Sequence, residues 1–330
     1  MTIDRALFFS KVSPLLESFD GRAAFCISRI GSEDLAAESP GTTENAAAAE
    51  DPSQTFTDSV SYQEDEVMML ASTGKLFILG TLLEQLSEGK EPLDRALLER
   101  RVYRREDRVG GSGVIQFLSE GTAFTLHDLA LLMIILSDNT ATNMLLTEVG
   151  GADAVMDHLE KAGVLYSGVN RPISGQFTSP KILQRTSALG LSAHVQNSFS
   201  RGSCREIAAY LKGIEEGKIL SSAARDIFES MLEKQQFKDM FPRYLPVEDF
   251  FEEDPFAKEF LGEGGNFVRV LCKTGFDGGI RSDAGILIIG NDRFSYAVII
   301  NEAKDTSYRP EQEAAMLMGR IGRAFYESLR

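Results

Sequence analysis

Ser72 and Lys75 stand three residues apart inside MMLASTGKLFILG, a stretch otherwise almost wholly apolar. At that spacing on a helix two side chains share one face, about 5–6 Å apart at Cβ. A desolvated lysine gives up its proton and can serve as base to the hydroxyl beside it. A helix N-terminus adds free N–H groups that favour a developing oxyanion. Taken alone, the pair reads equally well as a helix cap followed by a solvated lysine. The apolar surroundings argue for the chemical reading, since lysine is seldom buried without a role.

Two further groups carry chemistry. Ser137-Asp138-Asn139 follows the apolar run LALLMIIL and opens the next helix. It reads either as a helix cap or as a second hydroxyl able to shuttle a proton, with an amide able to hold a carbonyl. Lys273-Thr274-Gly275 ends the strand FVRVLC. A strand-borne Lys and Thr can bind a carboxylate, and the glycine lets a ligand approach the backbone. Cys272 abuts Lys273, but strand alternation turns it to the other face, as a packing residue. Each group is weak alone. Their joint, ordered occurrence is a coincidence of well below about one per cent at average residue frequencies.

The set S-x-x-K, S-D-N, K-T-G is a signature of class A β-lactamases and penicillin-binding proteins. At these residues, and along LSDNTATNMLLTEVGG and the closing strand–strand–helix, the chain resembles that superfamily, most closely its class A-like branch. The resemblance implies Ser72 as acylated nucleophile, and Lys75 as its general base or the relay to one. It implies that Ser137 passes a proton to the leaving nitrogen, and that Asn139 holds the acyl side chain and orients Lys75. Lys273 and Thr274 would bind a substrate carboxylate, and the N–H groups of Ser72 and Phe276 would form an oxyanion hole. Arg281, in FDGGIRSDAG, either helps bind a carboxylate or forms a structural ion pair with Asp283. The implied function is a serine hydrolase working through an acyl-enzyme on a β-lactam or another small amide or ester. The alternatives are a penicillin-binding or acylated sensor protein without efficient deacylation, or a cytoplasmic esterase, peptidase or acyltransferase.

One departure stands out. Class A β-lactamases resemble one another in an ExxLN loop, whose Glu activates the water that releases the acyl group. Here the corresponding stretch, GVNRPISGQFTSPKILQR, contains neither Glu nor Asp. The nearest acids are Glu160 and Glu206, and His194 lies in the same general region. Arg243 and Tyr244, in FPRYLP, either line the cleft or pack.

The elements that must position these groups follow from the hydrophobic pattern. Helices are expected at 4–18, 72–85, 125–136, 140–148, 152–162, 205–216, 221–234 and 309–329, and strands at 22–30, 57–62, 267–273, 283–290 and 294–301. Gly290 to Arg293 reads as a hairpin turn, and 163–203 as loop with short helical pieces. The stretch 31–59 reads as a long mobile loop whose Ala run alternatively forms a short helix, and 245–265 as an acidic, Phe-rich segment that lids the cleft or mediates association. The order predicts an α+β fold: a mainly antiparallel sheet flanked by helices, with an inserted all-α domain. The α/β domain is expected from 1–65 and 236–330, and the all-α domain from 66–235.

Composition bounds the rest. The 330 residues carry 34 basic against 49 acidic side chains, a formal net charge of −15. That balance argues against nucleic acid or an anionic membrane surface as partner, and leaves a small molecule. Three cysteines (Cys26, Cys204, Cys272) form no disulfide framework, and with three histidines a Cys/His zinc site is not expected, nor is a cofactor. No secretory leader is read at the N-terminus, so a cytoplasmic location is expected.

Overall fold

The computed structural model describes residues 1–31, 56–175, 178–247 and 267–330. The expectations for the Ala-rich run and for the Phe-rich acidic segment fall largely outside them.

In chain order the main elements are helix α1 (Arg5–Ser18), strands β1 (Arg22–Arg29) and β2 (Ser59–Tyr62), and helices α2 (Lys75–Glu88), α3 (Leu126–Ile135), α4 (Asn139–Glu148), α5 (Gly151–Lys161), α6 (Pro180–Ala188), α7 (Cys204–Glu215) and α8 (Ser222–Glu233). Strands β3 (Val268–Asp277), β4 (Ile280–Ile289) and β5 (Asp292–Asn301) and helix α9 (Glu313–Glu327) close the chain. The fold is α+β. Five strands form one sheet in the order β3-β4-β5-β1-β2, antiparallel throughout. The first long strand thus pairs with the last, Ile27 facing Tyr296.

Alternation along the strands divides the core in two. Ala24, Cys26, Leu271, Ala284, Ile286, Ala297 and Ile299 face the helical block of α2 to α8. Phe25, Ile27, Cys272, Leu287, Val298 and Ile300 face the terminal helices, with Phe8, Val12, Ile321 and Phe325. Helix α2 runs through the middle of the helical block, with Lys75 to Leu83 buried without a break. That is the burial its all-round apolar sequence demands.

Local signals set most boundaries. Thr125 and Asp128 form the capping box that starts α3. Ser179 caps α6, whose first residue is Pro180. Helix α9 starts at Glu313, later than its pattern suggests, because Gln312 caps it by accepting from Ala315 N at 2.9 Å. The closing strands are longer than expected. Asp277 pairs with Ile280 across Gly278-Gly279, so β3 runs on to 277 and β4 begins at 280. Gly278 has φ +47°, and Asp-Gly-Gly is a hairpin signal that the sequence reading passed over. The second hairpin turns on Gly290-Asn291, at φ +59° for the glycine. No helix among the described residues is long and apolar enough to cross a membrane.

Candidate active site

Ser72 does not lie on the α-helix proper. Ala71 to Gly74 form a single 3-10 turn, and Lys75 is the first residue of α2. A 3-10 turn brings residues i and i+3 to the same side, so the Ser72–Lys75 relationship survives the change of helix type. Ala71 adopts φ +47°, an uncommon conformation for a residue with a Cβ. Long-range bonds hold the turn. Thr73 Oγ1 lies 2.7 Å from Ser282 Oγ on β4, Ser282 Oγ donates to Leu70 O at 2.6 Å, and Ser200 Oγ donates to Ala71 O at 2.6 Å. Strand β3 runs against the same turn: a Cβ on Gly275 would stand 2.5 Å from Leu70 O and 2.8 Å from Thr73 N. Here Gly275 serves the approach of the protein's own backbone.

The amine of Lys75 is buried and donates to Ser137 O at 2.7 Å, Ser137 Oγ at 3.0 Å and Asn139 Oδ1 at 3.0 Å. Lys273, also buried, donates to Ser137 Oγ at 3.2 Å and to Thr274 O at 2.7 Å. Burial, and then the nearby Lys273 charge, hold the Lys75 amine well below the usual lysine range. Burial lowers Lys273 to about 7. Burial thus pulls both amines toward the neutral form, which a base requires and a solvated lysine does not offer.

Ser137 sits at φ +54°, in the left-handed region. Asp138 locks it there. Its Oδ1 caps α4 by accepting from Ala141 N at 2.9 Å, and its Oδ2 accepts from Val114 N at 2.6 Å and Ile115 N at 2.9 Å. The cap reading of Ser-Asp-Asn and the chemical one thus both hold, on different residues. Asn139 donates to Gly110 O at 3.0 Å, so the 110–115 loop forms a wall of the site.

Four predicted side chains therefore meet at one place, Lys75, Ser137, Asn139 and Lys273, beside the turn that carries Ser72; Thr274 reaches them through its carbonyl, while its side chain shares the opposite face of the sheet with Asp283. Thr274 Oγ1 is buried and has no hydrogen-bond partner. Phe276 is half-buried, edge-on to Tyr308 with centroids 5.7 Å apart.

Arg281 does not pair with Asp283. Its guanidinium donates to Gly278 O at 2.9 Å, Ile280 O at 2.7 Å and Ser307 O at 2.5 Å, and lies 5.7 Å from the Tyr308 ring. Asp283 instead accepts from Tyr296 OH at 3.0 Å and Phe241 N at 3.1 Å. The unread hairpin at Gly278-Gly279 supplies two of the three carbonyls that engage Arg281. Arg243 and Tyr244 pack: Arg243 donates to Pro310 O at 2.5 Å, and Tyr244 OH to Met316 Sδ at 3.1 Å.

The acids near the 168–185 loop are committed elsewhere. Glu206 accepts from the N–H groups of Leu165, Tyr166 and Ser167, at 2.7 to 3.0 Å. Glu160 pairs with Arg185 at 3.2 Å, and His194 is exposed. Asn143 clamps the loop, donating to Ile173 O at 3.0 Å and accepting from Ile173 N at 2.9 Å. The sequence reading missed Ser282, Ser200 and Asn143. Only Asp138 carried a signal, its cap position. Among the described residues no group of three or more His, Cys, Asp or Glu could hold a metal ion.

Residues 33–329 match the model of the β-lactamase enzyme family. A β-lactamase of Rhodobacter capsulatus is 30% identical over 182 residues, covering 50% of this chain and 58% of that protein. β-Lactamase L2 of Stenotrophomonas maltophilia is 29% identical over 172 residues, covering 50% and 48%. The chain thus spans about half the length of these curated relatives. A solved β-lactamase from Sphaerobacter thermophilus superposes with a TM-score of 0.72 at 25% identity, over 99% of this chain and 97% of that one. The structure of PBP-A superposes at 0.68 and 20% identity, over 98% and 97%, a likeness of fold.

Proposed function

The chain belongs to the β-lactamase enzyme family, and on that footing we propose that it is a serine hydrolase forming an acyl-enzyme on Ser72 with a β-lactam or another small amide or ester. The observation that carries the reading is the convergence of two buried lysine amines on the Ser137 hydroxyl, at 3.0 and 3.2 Å, beside the Ser72 turn.

The chemistry follows from that arrangement. Neutral Lys75 takes the proton of Ser72 as its Oγ attacks the carbonyl carbon. The tetrahedral oxyanion is held by the N–H groups of Ser72 and Phe276. The proton passes through Ser137 Oγ to the leaving nitrogen or oxygen, the carbonyl–leaving-group bond breaks, and acyl-Ser72 remains. Asn139 fixes Lys75 through its Oδ1 and faces the acyl chain with its amide. Lys273 holds the Ser137 hydroxyl from the opposite side.

A second reading concerns the return half of the cycle. With Glu206 capping three backbone N–H groups and Glu160 paired to Arg185, no loop carboxylate is free to activate water, and the acyl group leaves slowly. The protein then acts as a penicillin-binding or acylated sensor protein. Intact-protein mass spectrometry over time, with a penicillin and an activated ester beside Ser72→Ala, tests both readings. A transient adduct with product release supports the hydrolase, and a stable adduct absent from Ser72→Ala supports the second reading. No adduct with either reagent overturns the nucleophile assignment.

A further inference from the structure

Arg201 lies in the short strand Ser200–Gly202, with Met69 as register partner on one side and Gly168 on the other. Its side chain is wholly buried. Nη1 donates to Asn170 Oδ1, while Nε and Nη2 have no hydrogen-bond partner. Asn170 is held from the rest of its amide and from its backbone. Its Nδ2 donates to Val195 O at 3.0 Å and Ser198 O at 3.1 Å, and its N–H to Phe199 O at 2.8 Å. It offers Arg201 one oxygen and no more.

The surrounding charges leave the guanidinium poorly matched. Burial, and then the Arg185 charge, lower it to about 10 against the pull of Glu206, so it stays a cation at neutral pH. Glu206 spends its carboxylate on the N–H groups of Leu165, Tyr166 and Ser167. Arg185 is tied to Glu160 at 3.2 Å and donates to Leu165 O at 3.1 Å. A buried cation with two unmet donors is costly, and what meets them stabilises the fold. The identity of the two donors narrows the choice. Nε–H and the neighbouring Nη2–H point the same way from one edge of the planar guanidinium, the fork that takes two oxygens of one anion. A spherical ion cannot match both. Glu206 adds negative charge nearby, which favours a singly charged anion over a phosphate dianion.

We propose that Arg201 anchors an oxyanion site in the protein interior beside Asn170, and that its ligand is a small monocarboxylate held bidentate by Nε and Nη2. Arg201 has no exposed surface, so binding is coupled to local opening of the structure around it and is read as added stability. The strand that carries Arg201 also fastens the turn of Ser72. Ser200 O accepts from Leu70 N at 3.1 Å, and Ser200 Oγ donates to Ala71 O at 2.6 Å. The ligand therefore braces a strand on which that turn rests. Neither the site nor its test depends on Ser72 being acylated.

The melting temperature of the wild type is followed while sodium acetate replaces sodium chloride at constant ionic strength. Arg201→Met, which keeps an apolar stem, and Arg201→Lys, which keeps the charge without the fork, are measured beside it. The wild type is expected to rise along a saturating curve, by a few degrees at about a hundredfold excess of acetate over its dissociation constant. Arg201→Met shows no such rise, and Arg201→Lys a smaller one than the wild type. An equal rise in Arg201→Met, a rise that does not saturate, or no rise at all overturns the proposal. A larger saturating rise with phosphate at pH 8 overturns the assignment of a monocarboxylate. If neither variant folds, line broadening of carbon-13-labelled acetate by the wild type decides. Broadening relieved by excess unlabelled acetate and not by chloride supports the site, and any other result overturns it.

Discussion

Lys75 and Lys273, 198 residues apart in the chain, hold the same Ser137 hydroxyl between their amines at 3.0 and 3.2 Å. Two like charges this close to one buried oxygen would repel strongly, and both amines are pulled toward the neutral form. The hydroxyl is thus the meeting point of a lysine on a helix and a lysine on a strand, and its placement depends on the strained backbone of Ser137.

That strain separates function from stability at one residue. Ser137→Gly removes the hydroxyl but suits φ +54°, where a side chain costs roughly 1 kcal/mol or more. Ser137→Gly is expected to melt no lower than Ser137→Ala, by about 1 kcal/mol in its favour, while both lose acylation by about 10²-fold or more, as for loss of a proton shuttle. Thermal denaturation and adduct-formation rates on the pair check this.

Gly275→Ala should separate the strand from the turn of Ser72. The added methyl would meet Leu70 O at 2.5 Å and Thr73 N at 2.8 Å, both backbone atoms that cannot swing aside. The expected outcome is a loss of acylation rate of about 10²-fold, the scale on which a misplacement of about 1 Å acts, with a lowered melting temperature. An unchanged rate would show that β3 does not position Ser72.

Ser282→Ala tests the tether from the other side. It takes one partner from each of Leu70 O and Thr73 Oγ1, leaving Leu70 O with Thr73 N at 3.2 Å and Thr73 Oγ1 with Lys273 O at 3.3 Å. Losing two buried hydrogen bonds costs about 0.5–1.5 kcal/mol each, a fall of a few degrees for a chain of this length at about 2–4 °C per kcal/mol. The acylation rate falls as well, since Ala71 and Ser72 follow Leu70 directly. Ser282→Thr, which restores the hydroxyl, recovers the rate if the bond and not the packing matters.

Glu215 supplies a pH dependence remote from the site. Burial, and hydrogen bonding with Glu229, raise its carboxyl to about 7, against the pull of Arg293. The folded protein therefore binds a proton here that the unfolded chain gives up near the ordinary glutamate value. The stability it contributes is fully present below about 4.5 and is lost as pH rises through about 7. Glu215→Gln removes this slope: its melting temperature gains on the wild type between pH 5 and pH 8. A constant difference across that range would place Glu215 ionised throughout.

The parts of the site that were legible in the sequence are those written in short runs of chain. Ser72 with Lys75, Ser137 with Asn139, and Lys273 with Thr274 each lie within four residues. A local geometry, the turn entering α2, the cap of α4 or the end of β3, brings each into place. What was not legible depends on pairing across great separations. Ser282 matters because β4 stands opposite Leu70 and Thr73, more than 200 residues earlier. The Arg281–Asp283 pairing was misjudged because two of the partners of Arg281 are carbonyls of a hairpin whose Asp-Gly-Gly signal went unread. The fold class was readable from element order, since strands at both ends of the chain with helices between can share one sheet only if the ends meet.

That meeting of ends has a consequence for how the molecule comes into being. Strand β1 finds its neighbour β5 only after some 270 further residues have been made, and until then its Phe25 and Ile27 have no partner strand on that side. The helical block, whose contacts are closer in sequence, can assemble while the ribosome is still at work. The turn of Ser72 gains its fastenings to β3 and β4 only once those strands have been made. A chain interrupted before Val268 would therefore keep the partners of Lys75 on Ser137 and Asn139 and the Ser200 bond to Ala71, yet lack the bonds from Lys273 and Ser282 that complete the turn.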